Sequence, residues 1–300
     1  MNGAKVLNRL IQLFILFNFI LFAMNFAKNT NTYLLTKQRI QNIQKISESK
    51  GIILEEPLPR AYTPKKSGSI LGIEMNSEES IRLAQKLLNS HLGDLTISTE
   101  IDTSPSAEDK ENRTYSNGKE KLTVKNNEVI YTSLNTEKKY KEMNAARARR
   151  LCQDFISNAD FGSKFSKQHI EERTVGDGIE LTYYADFEGY PLFNSYIRFR
   201  VGKEGIREAT IHMVHIDTNV GDKGNIYPID LVLFGIEEEI PVECSPESPL
   251  YITEITLGYY TLTTEGMRIL AEEIVPTYKI TVKGLEKPLF VNAYTNKFIK

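Results

Sequence analysis

The side chains in this chain that could do chemistry are few and scattered. His212 and His215 are the nearest approach to a metal pair. Three residues apart in a strand, they point to opposite faces, so one ion cannot readily take both. His91 and His169 stand alone, as surface or helix-end histidines. Cys152 and Cys244 have no histidine beside them in sequence. Two cysteines are too few for a disulfide framework, although a single bridge between them is open. Cys152 falls in a predicted helix with Leu151 and Phe155, which suits a buried thiol. Glu237, Glu238 and Glu239 form an acidic run, and Arg147, Arg149 and Arg150 a basic one. Both read as solvated faces. The sequence holds no G-x-S-x-G elbow, no phosphate-cradling glycine loop and no H-E-x-x-H. These residues point to no catalytic site, no cofactor and no metal, and the chain is not expected to be an enzyme. A net charge of -2 gives no electrostatic footprint for nucleic acid.

The more informative polar residues interrupt an apolar stretch near the N-terminus, LIQLFILFNFILFAMNFA over Leu10 to Ala27. Gln12, Asn18 and Asn25 lie within it. Asn18 and Asn25 are seven apart and share one helix face, with Phe14, Phe22 and Asn29 close to that stripe. A side-chain amide in lipid seeks a hydrogen-bonding partner, typically another helix, for about 1 kcal/mol each. Asn18 and Asn25 are therefore the expected contact residues for a partner in the membrane. The alternative is that both are tolerated polarity in a plain anchor.

The stretch is long enough to span a bilayer core with some thinning. A cleaved signal peptide is the competing reading, but cutting after Ala27 or Ala23 puts Asn25 or Leu21 where a small residue is wanted. An uncleaved anchor is preferred. Lys5 and Arg9 precede it and Lys28, Lys37 and Arg39 follow, so charge gives almost no orientation bias. The expected layout has a short cytoplasmic tail (1–9), a transmembrane anchor (10–27) and everything from about Lys28 outside the cytoplasm. A cytoplasmic protein tethered to the membrane is the other placement.

The elements that follow predict an α+β ectodomain of two units, with mainly antiparallel sheets and packed helices. A juxtamembrane helix over Thr36 to Lys50, capped by Thr36 and stopped by Gly51, leads into a proline-rich extended crossing, together 28–68. The first unit (69–135) holds a strand from Ser69 to Met75 and a helix opened by Asn76 and Glu79. Ile81, Ala84, Leu87, Leu88 and Leu92 make that helix's apolar face. A polar loop over Thr99 to Asn112 and a hairpin over Lys121 to Ser133, turning at Asn126 and Asn127, complete it. The second unit (136–300) starts with a helix capped at Thr136 that ends near Gly162. A meander follows over Ile179–Phe187, Tyr196–Val201 and Ile206–Asp217. After a short helix at Ile229–Glu239 come strands at Tyr251–Leu262, Thr277–Val282 and Leu289–Ala293.

Four blocks stand out: the N-terminal anchor, IQNIQKISESKGIILEEPLP, YYADFEGYPLFNSYIRFRV, and ITEITLGYYTL with VPTYKITVKGLEKPLFVNAYTN. They resemble YycI-type, and more distantly YycH-type, regulatory proteins of Gram-positive bacteria. The likeness is one of layout across nearly the whole chain, and its length suits the YycI type better. It departs at Tyr278, where such proteins often have tryptophan, and in an expanded polar loop over Thr99 to Asn117. The resemblance implies a membrane-anchored accessory protein without enzymatic activity, associated with a YycH-like sister protein and with the sensor histidine kinase of the WalKR (YycFG) cell-wall system. Contact through transmembrane helices is part of that picture, and a homodimer is left open. It also implies the alternative of a PepSY-like extracytoplasmic module that binds a peptide or cell-wall ligand.

Overall fold

The computed structural model describes residues 3–71, 77–102, 110–125, 128–162, 165–240, 245–262 and 272–299. Helices α1 (Gly3–Thr32) and α2 (Lys37–Ser49) come first, then strands β1 (Ile52–Leu54) and β2 (Lys65–Leu71). Helix α3 (Ser77–Leu87) precedes β3 (Thr96–Asp102), β4 (Lys110–Ser116), β5 (Glu120–Lys125) and β6 (Glu128–Ser133). After α4 (Ala145–Asn158) run β7 (Phe165–Val175), β8 (Gly178–Phe187), β9 (Tyr190–Gly202), β10 (Gly205–His212) and β11 (His215–Gly224). Helix α5 (Ile229–Leu233) leads to β12 (Leu250–Leu262), β13 (Glu272–Val282), β14 (Leu289–Asn292) and β15 (Lys297–Ile299). The class is α+β, as the sequence predicts, but the sheet is mixed: β1 pairs with β12, and β12 with β9, in parallel.

The chain forms two units, one from residues 1–65, 223–256 and 278–300, the other from 66–222 and 257–277. The division expected near Thr136 falls inside the second of these. The reason is pairing: β6, before that point, is antiparallel to β10, after it, from Glu208↔Thr132 to His212↔Glu128.

Unit 2 is built on the ladder β3-β4-β5-β6-β10-β9, with β8 and β7 continuing beyond β9. Strand alternation sends Leu181, Tyr183, Ile197, Phe199, Ala209, Ile211, Val129 and Tyr131 into the core, all buried. Helix α4 lays Ala148, Cys152 and Ile156 on them. Edge-to-face rings bind helix to sheet, with Tyr131, Phe199 and Tyr183 linked through Phe155 and Phe199 at 5.2, 5.3 and 5.8 Å. Helix α3 adds Leu83 and Ala84, and its buried Ser80 hydroxyl meets the Tyr115 hydroxyl at 2.8 Å.

Three expectations are corrected here. The helix placed from Thr136 begins at Ala145, because Asn144 caps it by accepting from Arg147 N at 2.9 Å. The residues just before it form no regular element, and Tyr140 N donates to Lys203 O. The polar segment Thr99 to Asn112 is not simply a loop. Its ends lie in β3 and β4, which pair in register from Thr96↔Ser116 to Asp102↔Lys110. A ladder needs backbone groups, not apolar side chains, and β4 goes on to pair with β5, where Thr114 meets Thr123 side chain to side chain. β7, β1 and β15 also lay outside the sequence reading. β7 carries SKQHIEERT, without alternating apolar residues, and among the described residues it pairs on one side only, with β8. Asn76, the turn at Asn126 and Asn127, and Cys244 lie outside the described residues.

In unit 1, α2 packs on α5, β1 lies beside the first half of β12, and β14 pairs with β13 and β15. Its core gathers Leu35, Ile43, Ile52, Leu58, Ile229, Val232, Leu233, Ile252, Tyr278 and Ile280. Gly51 ends α2 with φ +79°, and a Cβ there would sit 2.3 Å from the backbone of Ser245. Only glycine fits both demands.

Candidate functional site

Helix α1 holds both asparagines singled out from sequence. It is a 30-residue helix whose described apolar side chains are exposed, Leu10, Phe14 and Phe22 at 63%, 68% and 68% among them. In water such a surface forfeits about 1.5–3 kcal/mol per large apolar side chain relative to burial. Among the described residues no helix is long and apolar enough to cross a membrane.

Asn18 is exposed, and its Nδ2 donates to Phe14 O, one turn back, at 2.9 Å. That bond satisfies one amide hydrogen within the helix and leaves Oδ1 without a partner among the described residues. Asn25 is on the same helix, but its side chain lies outside the described residues.

Beyond α1 the chain is held by contacts that sequence reading missed. The residues just after the helix pair with those at 60–62. Leu35 N donates to Arg60 O and Tyr62 N to Tyr33 O, each at 2.9 Å, around the antiparallel bridge Leu34↔Ala61. The Tyr62 hydroxyl donates to Thr32 O at 2.8 Å. That carbonyl belongs to the last turn of α1, whose acceptors have no intrahelical donor. The Arg60 guanidinium donates to Leu35 O at 3.4 and 3.3 Å, and the Tyr33 and Tyr62 rings meet edge to face at 5.9 Å. Leu35 is fully buried. The only sequence signal for this clamp is the proline run of LEEPLPRAYTPKK, which reads as a linker.

Helix α2 then docks the clamp onto unit 1. Thr36 Oγ1 accepts from Arg39 N at 3.3 Å, the cap expected from sequence. Arg39 forms a two-pronged pair with Asp230 of α5, Nε to Oδ2 at 2.8 Å and Nη2 to Oδ1 at 2.9 Å. The hydrogen bond it donates to Asp230 raises the guanidinium's pKa further. At the other end Lys50 pairs with Glu237 and lies over the Phe234 ring at 5.2 Å.

Several of the remaining candidates have structural partners. His212 Nδ1 bonds Asn194 O, and its ring stacks on Tyr196 at 5.9 Å. His169 Nε2 meets Asp186 at 2.9 Å. His215 opens the next strand, so the two histidines flank a break between β10 and β11. Cys152 is a free, fully buried thiol whose pKa is driven up by burial. Arg149 pairs with Glu172 at 2.8 Å, Arg147 lies over Tyr140 at 5.4 Å, and Arg150 is exposed. Among the described residues no group of three or more His, Cys, Asp or Glu could hold a metal ion. Unit 2 also carries an open cleft of about 690 Å³ at the turn ends of the β7–β8 and β9–β10 hairpins, beside Thr132 to Thr136. Its walls include Val175, Ile179, Glu180, Arg200, Arg207 and Glu208.

No family model and no curated protein matches the chain. Among solved structures, the C-terminal domain of YpeB from Bacillus megaterium has a TM-score of 0.40 at 14% identity, over 76% of this chain and 97% of that one. YycH from Bacillus subtilis has a TM-score of 0.47 at 12% identity, over 76% of this chain and 54% of that one. An uncharacterized protein from Eubacterium rectale has a TM-score of 0.58 at 12% identity, covering 87% of this chain and 98% of that one. At such identity the last likeness is one of fold alone, and in fold this chain is similar to that bacterial protein.

Proposed function

We propose that this protein is a membrane-anchored accessory regulator. Its anchor is α1, its ectodomain lies outside the cytoplasm, and it acts by protein contact without catalysis of its own. The observation that carries the reading is the exposed apolar helix α1 joined to a folded unit by the clamp at Tyr33, Leu35, Arg60 and Tyr62. Such a helix is at home in lipid, and the clamp ties it to the ectodomain. His169 and His212 are held by hydrogen bonds and Cys152 is buried, so these three side chains have structural roles. The resemblance of its sequence blocks to YycI-type proteins names the partners: the sensor histidine kinase of a cell-wall system and a YycH-like sister protein.

The test has two parts. Protease added to spheroplasts should digest everything after Lys28, and full protection with an intact membrane would overturn the extracytoplasmic placement. Crosslinking in membranes followed by co-purification of the full chain should recover a histidine kinase, and recovery of this chain alone would overturn the partner assignment.

The cleft of unit 2 favours a second reading, an extracytoplasmic module for a peptide or cell-wall fragment. A cleft of about 690 Å³ falls in the size range of small-ligand sites. A chain lacking residues 1–28 separates the two readings. The binding module keeps its ligand, whereas the regulator loses much of its effect with its membrane contact.

A further inference from the structure

We infer that the joint between α1 and the rest of unit 1 is rigid, so that the clamp fixes the direction in which the Asn18 face of α1 points. A tether would let the helix spin freely about its axis. A rigid joint makes α1 a lever, turning its polar stripe whenever unit 1 turns. The inference concerns the joint itself and holds whether or not the anchor's partner is a kinase.

Four observations carry it. First, the clamp grips the helix and not only the chain after it, because Tyr62 Oη donates to the carbonyl of Thr32, inside α1. Second, the chain leaving the helix is paired at once, through Tyr33 O and Leu35 N, with no unpaired stretch between to swivel. Third, the opposing strand is itself stiff. Pro57, Pro59 and Pro64 fix φ at three positions and restrict the residues before them, among them Leu58 and Thr63. Fourth, both sides of the clamp are rooted in the core of unit 1, since Leu35 is fully buried and Leu58 is 5% exposed. Arg39, held by Asp230, then fixes α2 within the turn that follows. Each contact alone is modest, but together they restrain both backbone and side chain on either side of the exit.

Distances between spin labels test this in the full chain in detergent micelles. Labels are placed through Met24→Cys on α1 and Lys45→Cys on α2, both exposed sites, with Cys244→Ser and the buried Cys152 left in place. A rigid joint gives one narrow distance peak. One alanine inserted between Ala27 and Lys28 turns the upstream helix by about 100° and should move that peak while leaving it narrow. Tyr62→Ala with Arg60→Ala should abolish the narrow peak. A broad distribution in the unmodified chain, or a peak unmoved by the insertion, would overturn the inference. Should the clamp variant fail to fold, Leu34→Cys with Ala61→Cys serves instead. The two positions face each other as a non-hydrogen-bonded pair, with Cα atoms about 4.5 Å apart, within disulfide reach. Thiol titration should find that bridge formed without added oxidant beyond air, and free thiols there would equally overturn it.

Discussion

The pair Arg39–Asp230 should respond asymmetrically to truncation. The Asp230 side chain is 11% exposed and that of Arg39 is 40% exposed. Arg39→Ala strands a carboxylate that water reaches poorly and also removes the alkyl stem covering it. Asp230→Ala leaves a guanidinium that can turn out into water. Breaking a buried pair from one side costs roughly 3–5 kcal/mol, and an exposed pair is worth roughly 0–1 kcal/mol. Placing Asp230 near the buried case and Arg39 near the exposed one gives about 2 kcal/mol for Arg39→Ala and about 1 kcal/mol for Asp230→Ala. Removing both should cost no more than Arg39→Ala alone, because no charge is left stranded. Hydrogen exchange of the α2 amides in the micelle-bound chain is the suitable assay, since it reads local opening without assuming that two units unfold together. The expected acceleration is about 30-fold for Arg39→Ala and about 5-fold for Asp230→Ala. Equal effects, or a larger one for Asp230→Ala, would refute the reasoning that burial of the carboxylate decides the cost.

Further outcomes follow from the same contacts. Gly51→Ala should destabilise unit 1 by about 2 kcal/mol or more, since positive φ and a backbone clash act together; far-UV circular dichroism in urea measures it, and a shift below about 0.5 kcal/mol would show that the Ser245 backbone yields freely. Cys152 should resist iodoacetamide at pH 8 and react only once the chain is unfolded, because burial keeps its thiol neutral and covered; mass spectrometry before and after urea decides. Asn18→Leu with Asn25→Leu should leave abundance and ectodomain folding intact and weaken crosslinking to a membrane partner only in part. The bond from Asn18 to Phe14 O already satisfies one of its donors. Unchanged crosslinking would mean that the stripe is tolerated polarity, and leucine at Gln12 is the control.

Local signals in this sequence were legible where backbone and side chain demand the same thing. The hairpin LTVKNNEVIYTS alternates, and it forms β5 and β6. Thr36 caps α2, and Gly51 stops it. The meander from Ile179 onward was readable from its alternating apolar residues and its turns at Glu188-Gly189 and Gly202 to Gly205. Misreadings arose where the two demands part. β3, β4 and β7 carry polar side chains, because a strand paired on one or two sides draws on backbone bonds that composition does not reveal. Thr136 and Asn144 are both good caps, and only the bond from Tyr140 N to Lys203 O, across long sequence separation, decides between them. For the site, the helix and its asparagines were plain in the sequence. The clamp was not, since Arg60 and Tyr62 lie in a proline-rich run with the look of a spacer, and Asp230 is nearly two hundred positions from the arginine it holds.

The interleaving of the two units along the chain has a consequence for synthesis. Residues 66–222 of unit 2 are contiguous, whereas unit 1 is gathered from three separate segments, the last starting at Tyr278. A ribosome therefore releases α1 and both sides of the clamp early, but Asp230 and the strands that complete unit 1 only much later. Between those moments most of unit 2 can fold while α2 has no α5 to dock on. The nascent protein thus leaves the face of α2 uncovered until α5 has been made. A chaperone or protease watching over such chains would find its window there.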